Sequence, residues 1–122
     1  MAEIEAVLAP WLGTVIPGAD HGAETPPDLE ERLPFIRVER VGGADGRFRQ
    51  HPRVAVDVFA ATADEARSVS SAVRDALLFL RGEVRGAVVA DVRCDSGPSR
   101  QPWVNPAIHR RGATYTVTLR DA

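Results

Sequence analysis

The stretch RVAVDVFAATADEARSVSSAVRDALLFLRG, residues 53–82, decides how this chain folds, because the hydrophobic period changes inside it. From Arg53 to Ala60, the residues Val54, Val56, Val58 and Ala60 point one way and Arg53, Ala55, Asp57 and Phe59 the other, the alternation of a half-buried strand. Thr62-Ala63-Asp64-Glu65 is then a capping box, in which the Thr62 hydroxyl accepts from the Glu65 N–H and the Glu65 carboxylate reaches back to the Thr62 N–H. The spacing predicts a helix from near Ala63. Ala66, Val69, Val73, Ala76, Leu77 and Leu80 recur at three- and four-residue intervals and build one apolar stripe. Arg81 suits the negative end of the helix dipole and Gly82 the left-handed position after it, so the helix should stop near Arg81.

Three more segments alternate. Phe35 to Val41 sets Ile36 and Val38 against Arg37 and Glu39. Ala87 to Cys94 sets Val88, Ala90, Val92 and Cys94 against Val89, Asp91 and Arg93. Ala113, Tyr115, Val117 and Leu119 oppose Thr114, Thr116, Thr118 and Arg120. Upstream, Ile4, Val7, Leu8, Trp11 and Leu12 share a helical face that Gly13 and Pro17 should end. The expected fold is therefore α+β: a four-stranded mixed or antiparallel sheet with two helices packed on one face, in the order α-β-β-α-β-β, with long loops between strands. Residues 13–33, with Pro17, Pro26 and Pro27 and with Pro34 just beyond, read as an extended connection or as a segment ordered only by a partner.

A chain of 122 residues, 44% hydrophobic and 26% charged, is expected to form one domain with a real core. It contains no apolar run near the ~20 residues that span a bilayer and begins with acidic residues rather than the basic region of a secretory signal, so a soluble cytoplasmic product is expected. Cys94, the single cysteine, sits on the apolar side of a predicted strand and reads as an inert thiol. The net charge of −2 argues against nucleic-acid binding by the chain as a whole. All fifteen basic residues are arginine, which a GC-rich genome explains as well as guanidinium chemistry does.

No catalytic constellation emerges. His21, His51 and His109 fall in three separate predicted loops without metal-ligand spacing, so no metal or cofactor is expected. Gly42-Gly43-Ala44-Asp45-Gly46 joins two strands and no helix follows it, so it reads as a hairpin tip rather than a phosphate cradle. Asp57 and Asp91, on outward faces of strands expected to be neighbours, read as solvated carboxylates rather than an acid/base pair. The chain is expected not to be an enzyme.

Two loops carry the candidate contact residues. Gly42 to Pro52 presents Phe48 between Arg47 and Arg49, with Arg53 just past its end; Asp95 to Arg111 holds Trp103, Asn105, Arg110 and Arg111. Aromatics flanked by arginine are the composition of protein interfaces, where the arginine fork docks on carboxylates. The alternative for Trp103 is a lid folded over the sheet edge, and both roles are compatible.

Leu33-Pro34-Phe35-Ile36-Arg37-Val38, Val41-Gly42-Gly43, and Val56-Asp57-Val58-Phe59-Ala60 before an Ala-rich helix resemble the tail terminator (tail completion) proteins of long-tailed, siphovirus-type phages, especially those of actinobacterial hosts. Asn105-Pro106 followed by Arg110, Arg111, Gly112, Ala113, Thr114 and Tyr115 fits the same family, so the resemblance runs from about Leu33 to Arg120. It implies an α+β subunit of a ring, typically a hexamer, that caps the tail tube, ends its polymerisation and joins it to the head-neck connector. The implied partners are further copies of the chain, the tail tube protein and the connector protein; genome DNA passes through the lumen without specific binding, and no membrane is involved. The implied location is the virion, after assembly in the host cytoplasm. A head-tail connector or other neck protein is the nearest alternative. From a different class, a ferredoxin-like small-molecule-binding or catalytic domain shares the expected scaffold.

Overall fold

The computed structural model of this chain describes residues 3–121. Helix α1 (Ile4–Val15) leads to strand β1 (Asp20–Gly22), a 3-10 turn (Leu29–Glu31), β2 (Phe35–Asp45), β3 (Gln50–Ala60), helix α2 (Ala63–Phe79), β4 (Gly82–Val84), β5 (Ala87–Gln101) and β6 (His109–Asp121). The strands form one sheet in the order β1-β2-β3-β6-β5-β4. Only β1 and β2 run parallel; every other neighbouring pair is antiparallel.

The expected four-stranded sheet in the order α-β-β-α-β-β is thus corrected to six strands, curled into a half-barrel, with two helices. The two added strands are each three residues long and have no alternation of their own. Asp20–Gly22, inside the expected Pro-rich connection of residues 13–33, becomes strand only by lying along Phe35–Arg37 of β2. Gly82–Val84 pairs with Ala87–Val89 through a two-residue turn in which Arg85 and Gly86 both have positive φ, 47° and 87°. Turns of that hand match the twist of the flanking strands. The curl follows from the twist of long strands and from bulges, which bend the strand that carries the extra residue; register shifts lie at Arg40/Gly42 in β2 and at three places in β5.

α2 starts where the capping box places it: Thr62 Oγ1 accepts from the Glu65 N–H at 3.1 Å. The Glu65 carboxylate reaches one residue further back than expected, to the Ala61 N–H. The helix ends at Phe79 rather than Arg81, and Arg81 Nη1 donates to the Leu80 carbonyl at 2.6 Å, satisfying an end of chain that has no helical partner. α1 runs through Gly13 to Val15 before Pro17 stops it. Gly13 does not end this helix; a Cβ there would run into the His21 ring on β1, so its role is to let the strand approach.

Both helices cover one face of the sheet. Ile4, Val7, Leu8 and Leu12 of α1 and Val73 and Leu77 of α2 share a core with Ile36, Val38, Val54, Val56, Val58, Tyr115, Val117 and Leu119. In β5 the expected phase of alternation is wrong before the bulge. Ala87 and Val89 face the core while Val88 is half-buried and Ala90 exposed; after the shift at Val89/Asp91 the inward residues are Val92 and Cys94. The extra residue flips every side chain on one side of it.

The other face is not uniformly wet. At one end Phe35, Phe59, Leu29 and Ile108 are buried together, with Leu33 and Trp103 packed against them, so a second, smaller core lies across the sheet from the helices.

Candidate functional site

The two regions expected as long loops are mostly strand. β2 and β3 pair out to Asp45 and Gln50, so Gly42 to Pro52 is the end of a long hairpin with its turn at residues 46–49, closed by Gly46 N–H donating to the Arg49 carbonyl at 2.6 Å. Gly43 has φ +99, and a Cβ on it would overlap the His51 and Arg53 backbones, so only glycine lets the bulged strands close there. Asp95 to Arg111 likewise contains the end of β5 and the start of β6, leaving residues 102–108 as the connection. The reason for both corrections is the same: glycine and proline mark bulges in these strands rather than their ends.

The eight candidate contact residues are therefore spread over distinct places. Arg47, Phe48 and Arg49 occupy the β2–β3 turn; Phe48 is 78% exposed, with the Arg47 guanidinium 5.3 Å from its ring centre. Arg53 lies on the open face of β3, 3.8 Å from Asp95. That carboxylate also accepts from Arg93 at 2.9 Å and from the Thr116 hydroxyl. These donors, Thr116 first, hold the Asp95 carboxyl below the ordinary carboxylate value.

Trp103 folds inward. Its ring meets Phe59 edge-on with centroids 4.7 Å apart, as the lid reading expects. Asn105 ties the same connection down, donating to Glu30 of the 3-10 turn at 2.8 Å and accepting from the Ala107 N–H. Val104, at the crest of the connection, is 91% exposed. Arg111 points to the opposite side, against Val56, Val58, Ser70, Val73 and Tyr115 beneath α2. Tyr115 is buried there, which pushes its phenol well above the ordinary range.

Beside Trp103 the structure assembles a group that no single stretch of sequence announces. Asp57 is 3% exposed, and its two carboxylate oxygens accept from Arg37 at 2.8 Å and Arg110 at 3.0 Å. Both guanidinium groups lie over aromatic rings: Arg37 is 5.4 Å from Phe59 and Arg110 is 5.6 Å from Trp103. Three strands contribute because Arg37, Asp57 and Gly112 stand level across β2, β3 and β6. A Cβ on Gly112 would come within 2.7 Å of Asp57 Oδ1 and of Gln101 Nε2, so the carboxylate occupies space that any other residue would fill. Asp57 is thus an ion-paired anchor rather than a solvated carboxylate. Asp91 is not its neighbour: β6 lies between their strands, and Asp91 pairs with Arg81 at 2.9 Å. The polar groove over this anchor, about 280 Å³, is lined by Arg37, Glu39, Asp57, Gln101, Arg110 and Thr114.

The three histidines are on strands, not loops. His21 belongs to β1, His51 to β3, where it contacts the Thr118 hydroxyl at 3.1 Å, and His109 to β6. Among the described residues no group of three or more His, Cys, Asp or Glu side chains is placed to hold a metal, and no helix is long and apolar enough to cross a membrane.

The two aromatic regions sit at opposite ends of the sheet. Gln50 at the Phe48 end pairs with Leu119, and Ala60 pairs with His109 beside the Trp103 connection. The 11 residues of β3 between them, at ~3.3 Å each, separate the ends by about 35 Å. Phe79, 85% exposed at the last turn of α2, lies towards the Phe48 end. In the sequence Phe79 falls within the helical run and Val104 within the expected Asp95 to Arg111 loop, where neither spacing nor composition marks it as exposed apolar surface.

A chain in the solved structure titled "Virion of native gene transfer agent (GTA) particle" has the same fold, with a TM-score of 0.64 and 13% sequence identity, over 98% of this chain and 99% of that one. No family model and no curated protein matches the sequence.

Proposed function

We propose that this chain is a structural virion protein whose copies form a ring, expected to be a hexamer, that caps the tail tube, ends its polymerisation and joins it to the head-neck connector. The observation that carries the reading is the end-to-end likeness of fold to a chain of a gene transfer agent virion, which covers 98% of this chain and 99% of that one. The tail-capping role rests further on the resemblance of residues 33–120 to tail terminators.

The surface supports an assembly role. Exposed Phe48 and exposed Val104 lie at opposite ends of one sheet, so each end offers an apolar side chain to a different neighbour. A ring also buries open strand edges under copies of the same chain. In this reading the chain catalyses nothing, holds no cofactor, and passes DNA through its lumen without gripping phosphates, in keeping with a net charge of −2. A metabolite site calls for an enclosed apolar cavity with a few convergent polar groups; the groove over Asp57 is lined mainly by charged and polar side chains, and its two arginines already share the Asp57 carboxylate.

The test is polymerisation of tail tube protein with and without the purified chain, followed by electron microscopy. Shorter tubes with ring density at one end are the expected result. Unchanged tube lengths and bare ends would overturn the capping role, and ring density seen only with the connector protein would assign the chain to the neck.

A further inference from the structure

Two stretches of strand edge have no partner among the described residues. β1 covers β2 only over Phe35–Arg37, and β4 covers β5 only over Ala87–Val89. The outer edge of β2 is therefore open from Val38 to Asp45, and that of β5 from Ala90 to Gln101. The two edges lie on opposite sides of the sheet, at the same height. Tracing the ladder across, Arg40 is level with Val54, Tyr115 and Cys94, and Asp45 is level with Gln50, Leu119 and Val89. Val38 is level with Val56 and Ala113, next to the Gly112 that pairs with Ser99. The stretch bare on both edges runs from Glu39, level with Ser96, to Gly42, level with Arg93; at one end of it β1 lies on β2 at the height of Ser99–Gln101, and at the other β4 lies on β5 from the height of Asp45 outward.

From this we infer that the subunits of the ring join by strand pairing, the open edge of β5 in one copy lying against the open edge of β2 in the next, so that the sheet continues around the assembly. The inference rests on the ring reading above and names its subunit contact. Rotation about an axis along the strands keeps each strand's height and direction. β2 and β5 run oppositely within a subunit, so the pairing across the contact is antiparallel. The contact is heterologous, one edge meeting a different one, which generates a ring when the rotation closes; a sheet already curled supplies that rotation.

The lone subunit guards these edges. The Arg40 N–H donates to the Glu5 carboxylate of α1 at 3.3 Å, and Arg40 Nε donates to the Gly42 carbonyl at 3.1 Å. β5 carries Pro98 and two register shifts between Cys94 and Ser99. Such devices hold off indiscriminate pairing, and in the ring a neighbouring carbonyl takes the place of Glu5. Charge is complementary as well. Glu39 is exposed on the open face of β2 with no ion pair among the described residues; Arg93, 69% exposed, stands on the same face of β5 one diagonal step away in the joined sheet, and because it shares the single Asp95 carboxylate with Arg53 that patch keeps a positive charge. Diagonal neighbours of that kind are within reach of long side chains.

Arg40 and Cys94 are level and point to the same face, and the chain has one cysteine, so Arg40→Cys supplies a cross-link of defined geometry. Oxidation of R40C should yield a ladder of disulfide-linked oligomers on non-reducing gels, absent when Cys94→Ser is added. Independently, Glu39→Arg and Arg93→Glu should each shift the light-scattering mass of the wild-type ring towards monomer, and the double variant should restore it. A wild-type ring whose R40C variant gives no cross-link, and whose charge variants leave the mass unchanged, overturns the edge pairing and leaves the ring reading standing. A monomer at every concentration that also leaves tube ends bare and gives no cross-link in their presence overturns both.

Discussion

Asp57→Ala removes a carboxylate that is 3% exposed and leaves two guanidinium groups without their anion. Charge-assisted hydrogen bonds contribute roughly 1.5–3 kcal/mol each, and breaking a buried ion pair from one side costs about 3–5 kcal/mol. The Arg37 and Arg110 side chains are 16% and 22% exposed, so water recovers part of that loss for each of them. A net destabilisation of about 3 kcal/mol is expected, the low end of the range for a buried pair. Unfolding entropy of ~2.1 cal/mol/K per residue amounts to about 0.26 kcal/mol/K for 122 residues, so Tm should fall by about 12 °C. Urea unfolding followed by far-UV circular dichroism gives the free energy directly, and the m-value checks that the unfolded state is unchanged. A cycle with Arg110→Ala should give a coupling energy above ~1 kcal/mol, because the two residues share one contact. If Asp57→Ala costs less than about 1 kcal/mol, within the range of an exposed ion pair, the anchor is not the stabilising element described here.

Gly112→Ala should act through the same group without touching a charge, since the new methyl pushes on Asp57 Oδ1 and Gln101 Nε2; a loss of roughly 1–3 kcal/mol is expected, and wild-type stability would show that both side chains move aside freely. Phe48→Ala and Trp103→Ala should separate: the first, at an exposed turn, leaves monomer stability within ~0.5 kcal/mol but weakens assembly, and the second also uncovers Phe59 and lowers stability by about 1–3 kcal/mol. Equal unfolding midpoints for the two would contradict the placement of Trp103. Thr62→Ala should cost about 1 kcal/mol by leaving the Glu65 N–H without its cap, read from the same urea curves. Asp20, held down mainly by its hydrogen bond from Arg32, and Asp95, by those from Thr116 and Arg93, both have lowered carboxyl values. Their contribution is therefore complete above the ordinary value of 3.8 and is lost as pH falls below it. Asp95→Asn should flatten the acid limb of the stability curve, and an unchanged limb would refute the assignment.

What residues 53–82 determined by themselves was local: a strand of period two and a capped helix of period 3.6 with its buried stripe, because those patterns are written within a turn or a few residues of backbone; that β3 is buried on its second face from Asp57 onward was not among them. The four long strands are where alternation puts them, and the cap at Thr62 is where its spacing puts it. Beyond that range tertiary structure decided. Asp20–Gly22 is a strand only because β2 lies beside it, and the inward phase of β5 depends on a bulge that no alternation predicts. The Gly and Pro of residues 42–52 and 95–111 read as loop, yet pairing with β3 and β6 carries strand through both. The anchor of Arg37, Asp57 and Arg110 depends on the register of three strands far apart in sequence, and so do the matched open edges of β2 and β5. Register is set by how the whole core packs against two helices, a sum over the chain that no single stretch contains.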